Sequence, residues 1–326
     1  MPFYRNILKQ AWTLTWRNKY LWWFGVFAAL LGNGGELEVI FNNSGDPGGA
    51  MFPSWQRISS TGVFSPQTFT NVGNLFKHDT LNIIALLIVG LIVLAIFLFI
   101  VWLVIVSQAA LVNNSAAIFK QKKNSFQDGW LSGRVNFWPV FSINVLSKVI
   151  IYILLAVVGL PMIYWGANFG VGLFYVLALV IMVPVVIIIS FIAKYAVAYA
   201  VINKYKIGLA IGQSWQLFKE NWLISFEMAV ILFFINLLVG LGIVLAVLTL
   251  AVPFLFLGLL FFYAFSALGS WLVAVMALIF FLAVVIFIGA ALSVFQISAW
   301  TGLFLELDKK GGTSKLIRVV NDLVKA

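Results

Sequence analysis

Two ionisable side chains stand inside otherwise apolar runs, and chemistry is looked for there first. Lys148 follows Trp138 by ten residues and precedes twelve apolar ones, while Glu227 interrupts a second apolar run. A charge facing lipid at the centre of a span costs at least about 2.5 kcal/mol, so such a group must snorkel, pair or do a job. Asn144 lies one helical turn before Lys148 on the same face, with Ser142 and Ser147 close by, and Asn236 shares the run that carries Glu227. These groups support a Lys148–Glu227 ion pair, spanning a depth difference of about 8 Å, or a Lys148-centred pocket for an anionic lipid or solute. The plainer alternative has Glu227 snorkelling near the interface and Lys148 packed against neighbouring helices. Ser107, Gln108, Asn113, Asn114 and Ser115 form a further polar patch, expected where a helix leaves the hydrocarbon, and Ser293 and Gln296 could face a bundle interior.

Other chemistries lack their parts. The chain has no cysteine and one histidine, His78, so a disulfide framework, a thiolate metal site or a zinc or haem cofactor is not expected. The Gly-Gly pairs near Asp46-Pro47-Gly48-Gly49 have no following Lys-Ser/Thr, so no phosphate-binding loop is indicated. Asn42-x-Ser44 matches a glycosylation sequon. With no His cluster, no paired intramembrane acids and no nucleophile–base motif, no enzyme and no cofactor are expected.

The elements that must position these groups follow from composition. The chain is 63% hydrophobic and only 9% charged over 326 residues, with mean hydropathy +1.08. A soluble domain carries roughly 25% charged residues, so much of this surface must be solvated by lipid. Hydrophobic runs predict six transmembrane helices near 20–32, 81–108, 138–160, 171–195, 222–249 and 270–303. The first is read as a retained span and not a cleaved signal peptide, because it opens with aromatics and lacks a small-x-small site. Pro184 should kink the fourth. The apolar stretch Ala251 to Ser266 is read as an outer-leaflet excursion or as helix extensions, since a seventh crossing would invert the C-terminus.

Orientation follows from the basic residues. Seventeen of the twenty lysines and arginines fall in the N-terminal segment, the second–third and fourth–fifth connections (Lys194 counted in the latter) and the C-terminus. Only Arg57 and Lys77 fall on the other face. Positive residues mark the cytoplasmic side, so both termini are expected there, in the cell membrane, with a long loop over 32–80 outside. The net charge of +10 is therefore a topology signal, and no nucleic-acid partner is expected.

Three segments align without gaps: Leu8 to Asn18, Phe126 to Asn136 and Ile211 to Asn221. Each has a bulky apolar residue four before a tryptophan (Trp12, Trp130, Trp215), a small residue just before it, and asparagine six after it (Asn18, Asn136, Asn221). The bulky residue and Trp share a helical face, and nearby cations wet the opposite one. The spacing predicts an amphipathic helix in the cytoplasmic interface, with Trp at headgroup depth and Asn serving the turn into the membrane. The anchors are read either as topological devices alone or as a platform for lipid headgroups. All copies run the same way, which disfavours inverted-repeat transporter architectures.

The Trp-x5-Asn segment leading into a hydrophobic hairpin, repeated in a six-span chain, resembles the membrane domain attached to some bacterial glycerophosphoryl diester phosphodiesterases and related stand-alone six-span proteins. In those phosphodiesterases catalysis belongs to a separate soluble barrel, and no segment here could form one, so the resemblance implies a membrane architecture without the activity. The expected fold is thus an all-α polytopic bundle in one membrane domain, 1–326, with units at about 3–123, 124–208 and 209–310 and a cytoplasmic tail over 305–326. The expected function is that of a non-enzymatic membrane protein that interacts with lipids or serves as a scaffold or accessory subunit, with a homo-oligomer or protein partner possible in principle. The competing expectation is a small-solute or ion transporter using Lys148 and Glu227.

Overall fold

The computed structural model describes residues 2–31, 80–165 and 169–310. The segment expected as an outer loop, with Arg57, Lys77 and His78, lies outside the described residues, as does the tail beyond Lys310. Seven helices follow in chain order: α1 Pro2–Arg17, α2 Leu21–Ala29, α3 Thr80–Phe119, α4 Phe126–Val135, α5 Phe137–Trp165, α6 Phe169–Ile202 and α7 Ile207–Lys310. Among the described residues there is no strand. Five stretches are long and apolar enough to cross a membrane: Leu87–Phe119, Phe137–Val158, Val176–Ile202, Ile207–Ala264 and Leu268–Lys309. The described part of the first expected span, α2, is nine residues, about 13 Å of helix and too short to cross alone.

α7 is a hairpin. Phe254 meets Phe280 and Phe281, Gly258 faces Val273, and Asn236 bonds Gln296, so the chain reverses near residue 266. The stretch 251–264 extends the first arm of this hairpin as helix, the second of the two alternatives the composition left open. The helical arms run 207–264 and 268–309 and contain the expected spans 222–249 and 270–303. α6 and α7 remain helical through Pro184 and Pro253.

The core sits at one end, the end that carries the basic segments. It joins Ile7, Ala11 and Leu14 of α1, Leu21 and Phe24 of α2, residues 105–116 of α3, 191–201 of α6 and both arms of α7 near Ile224 and Leu303. Toward the opposite ends, α3, α5, α6 and α7 expose long rows of Leu, Ile, Val and Phe. An apolar face with no protein against it is what a helix presents to lipid.

Short links at the basic end have local causes. α4 begins with a capping box: Ser125 Oγ accepts from the Asp128 backbone N–H, and the Asp128 carboxylate accepts from the Ser125 N–H at 3.0 Å. α3 and α6 end on residues in the left-handed region, Gln121 (φ 56) and Lys204 (φ 59). The next backbone N–H in each case turns back onto the last helical turn, Lys122 onto Ala117 and Tyr205 onto Tyr199, satisfying carbonyls the helix end would orphan.

Candidate functional site

The three Trp-x5-Asn segments bury the same positions. The residue just before Trp is buried in each: Ala11, Gly129 and Ser214. The residue three after Trp is buried as well: Thr15, Gly133 and Phe218. Each asparagine side chain donates to the carbonyl four residues earlier, Asn18 to Leu14, Asn136 to Ser132 and Asn221 to Leu217, at 3.1, 2.7 and 3.1 Å. In the first two copies this bond sits at the junction between a short helix and the next, so Asn serves the turn there. Asn221 instead lies inside α7, where helix runs unbroken from the motif into the arm; the expected turn is absent from the third copy because its backbone hydrogen bonds continue in register.

The small residues explain where these segments pack. A Cβ on Gly133 would come within 2.4 Å of the Val106 carbonyl oxygen, and one on Gly129 within 2.3 Å of the Asn114 side chain. α4 thus lies directly against α3 through a Gly-x-x-x-Gly stripe. α1 packs on the second arm of α7, with Trp12 edge-on to Phe295 and Ile7 beside Gly302. The segment before Asn221 packs on α6 through Phe218 and Phe191. Each motif segment therefore rests on a helix that returns to the basic end. Trp12 and Trp215 stay outside, 57% and 51% exposed, whereas Trp130 is half-buried and meets Trp102 edge-on.

Between those three returning helices lies a cavity of 40 Å³, mostly apolar in its walls with a few polar side chains. Gln108 of α3, Lys194 of α6 and Gln296 of α7 line it, with Tyr195, Trp300 and Thr301. It is large enough for one or a few waters and too small for a phosphate ester. The Lys194 ammonium lies 4.6 Å from the Trp300 ring centroid and 5.9 Å from that of Phe191, inside cation–π range. Asn144 donates to Gln108 Oε1 at 2.7 Å, and Gln296 donates to Asn236. Nearby, buried Ser115 and Ser298 hydroxyls share a 2.9 Å bond, and the Tyr195 hydroxyl meets that of Ser225 at 2.7 Å.

The expected site residues are thereby separated. Lys148 is exposed on α5. Glu227 is half-buried and accepts a hydrogen bond from the Tyr4 hydroxyl of α1 at 2.5 Å. Asn144 and Asn236 turn toward different glutamines at the cavity. No ion pair between Lys148 and Glu227 occurs among the described residues. The cation at the interior is Lys194, which charge counting placed in a connecting loop. It belongs to α6, two turns inside the helix end at Ile202. A usable signal was present, since Gln108, Lys194 and Gln296 each precede the end of an apolar run by a few turns.

The true α6–α7 connection holds Lys204, whose ammonium donates to Asn136 Oδ1 at 3.1 Å. Partial loss of water around it lowers its pKa from the ordinary lysine value. The bond ties the loop to the motif asparagine of the second copy. Among the described residues no three His, Cys, Asp or Glu side chains cluster as a metal site would need.

No family model matches the chain, and no curated protein or solved structure matches it either.

Proposed function

We propose that the chain is a six-span, non-enzymatic protein of the cell membrane, built from three parallel units with both termini cytoplasmic, whose role is to engage membrane lipid at its cytoplasmic face. The observation that carries this reading is the shared geometry of the Trp-x5-Asn segments: the residues just before and three after each Trp are buried, while Trp12 and Trp215 stand outward on segments that also expose Lys9, Arg17 and Lys219. An exposed indole flanked by cations at the end of an apolar bundle suits the headgroup layer. The resemblance to the membrane domains of phosphodiesterases points the same way, toward lipid-facing architecture without the barrel. Depth-resolved quenching of single-Trp variants in vesicles tests it. Trp12 and Trp215 should be quenched by interfacial probes at similar depth and from the cytoplasmic leaflet; quenching of either from the outer leaflet would sink the three-unit reading.

Solute transport remains a second reading because one feature favours it, the Lys194 cavity with its two glutamines. Its volume holds water only, so transport would require a wider state. Cysteine labelling at Gln108 and Gln296, in a chain with no native cysteine, discriminates: reactivity from both sides of the membrane supports a path, and protection from either side argues against one.

A further inference from the structure

We propose that the groove between α1 and the hairpin α7 is a binding site for an anionic phospholipid, with its phosphate on Arg5 and Lys9. The proposal rests on the lipid-engaging reading above and names the lipid class and the place. The groove is broadly open to its surroundings, spans about 500 Å³ and is lined by Tyr4, Arg5, Leu8, Lys9, Trp12, Ile231 and Phe295. Its chemistry is divided in the way a lipid is divided. Arg5 and Lys9 stand one helical turn apart, both exposed, and neither takes part in an ion pair among the described residues. Leu8, Ile231 and Phe295 supply an apolar wall, and the α7 arm carrying Ile231 exposes Phe234, Leu237 and Leu238 further along, where an acyl chain can lie. Trp12, edge-on to Phe295, closes the site at the level where an indole bridges wet and apolar layers.

One acid borders the groove. Glu227 is one turn from Ile231 on α7, and its carboxylate accepts a hydrogen bond from the Tyr4 hydroxyl. A phosphate diester is the anion that fits, because Arg presents a planar fork to its oxygens and Lys adds a point charge. The other two motif segments lack this combination. Phe126 and Trp130 of α4 are stacked on each other, and near Trp215 the cation Lys219 is followed directly by Glu220.

The test uses the full chain in nanodiscs containing equal phosphatidylglycerol and phosphatidylcholine, followed by native mass spectrometry of retained lipid. Wild type should retain phosphatidylglycerol preferentially. Each basic residue near an anionic lipid surface is worth about fivefold, so R5Q/K9Q should reduce that preference about tenfold or more. The loop variant K122Q/K123Q should leave it intact. W12L, which keeps the charges, should weaken retention of both lipids with a smaller change in preference. Unfolding is monitored by size-exclusion profile and far-UV circular dichroism, and K9R provides a conservative variant that must rescue the preference of K9Q. An R5Q/K9Q protein that is folded and as selective as wild type overturns the groove assignment alone. A wild type with no selectivity overturns it together with the lipid-engaging reading, so the two failures are distinguishable.

Discussion

The basic end of the bundle and the distal arms are both helical and both apolar, yet they are built on different side chains. At the packed end small and hydroxylated residues, Ala109, Ala110 and Ser115 of α3, Gly129 and Gly133 of α4, Ala196, Ala198 and Ala200 of α6, Ala290, Ser298 and Ala299 of α7, let the helices approach closely and interleave with large buried ones such as Phe24, Leu111, Phe191, Tyr195 and Leu303. On the distal arms the rows are Leu, Ile, Val and Phe, as in Leu91 to Ile100 and Leu237 to Leu260, and they are exposed. In water the second set would collapse. In a bilayer, lipid tails solvate Leu as well as a neighbouring helix does, so bulky aliphatics give no net drive to associate. Close backbone approach, dispersion contacts and interhelical hydrogen bonds do, and those need small or polar residues. Hydropathy therefore marks where the membrane is; the small residues mark where the protein is held together.

Glycine substitution separates the two regions most sharply. Gly133→Leu should destabilise by about 3 kcal/mol or prevent folding, because its Cβ lands on the Val106 backbone, which cannot step aside. Gly240→Leu and Gly242→Leu, where nothing lies within 4 Å of the added atom, should be neutral or gain up to about 1 kcal/mol from helix propensity. Thermal unfolding in lipid nanodiscs measures the contrast; equal losses at both ends would show that the distal arms also pack.

Truncation of large side chains gives a somewhat smaller contrast. Leu303→Ala, at a fully buried position, should cost about 2–4 kcal/mol. Leu238→Ala and Leu255→Ala, at 68% and 67% exposure, should stay within about 0.5 kcal/mol. A large loss at Leu255 would mean that another chain covers the arm.

The hydroxyl pair of the packed end is smaller again. Ser298→Ala should cost about 1 kcal/mol by leaving the buried Ser115 hydroxyl without its 2.9 Å partner. Ser115→Ala combined with Ser298→Ala should recover part of that loss, and a double-mutant cycle reads the coupling directly. Additive losses would show that the two hydroxyls do not support each other.

The smallest effect concerns the two left-handed helix ends. Gln121→Gly should raise stability by about 0.5–1 kcal/mol by relieving a side chain at φ 56. Lys204→Gly gains the same relief and loses the bond to Asn136, so it should gain less. Differential scanning fluorimetry of the pair checks the order, and an equal gain at Lys204 would show that its contact to Asn136 contributes nothing.

Much was legible from the sequence. Charge scarcity and the length of the apolar runs identified helices able to cross a membrane, and gapless alignment located Trp12, Trp130 and Trp215 with their asparagines. The small residue before each Trp was visible as a pattern, although its reason, contact with a neighbouring helix, was not. Element ends were less accessible: the apolar stretch after 249 left helix extension and an outer-leaflet excursion both open, because an apolar run has no internal mark for where a helix turns.

Composition and local spacing by themselves determined helicity, lipid solvation and the repeated motif, because each is a sum over neighbouring residues. Only the tertiary structure decided which polar group faces the interior. On a helix that is apolar all round, periodicity does not distinguish the face toward lipid from the face toward protein, so Lys148 looked central by depth alone. Three helices returning together place Gln108, Lys194 and Gln296 around one cavity and leave Lys148 outside. The direction a side chain points is set by which neighbour its helix meets, and that information lies in no single segment.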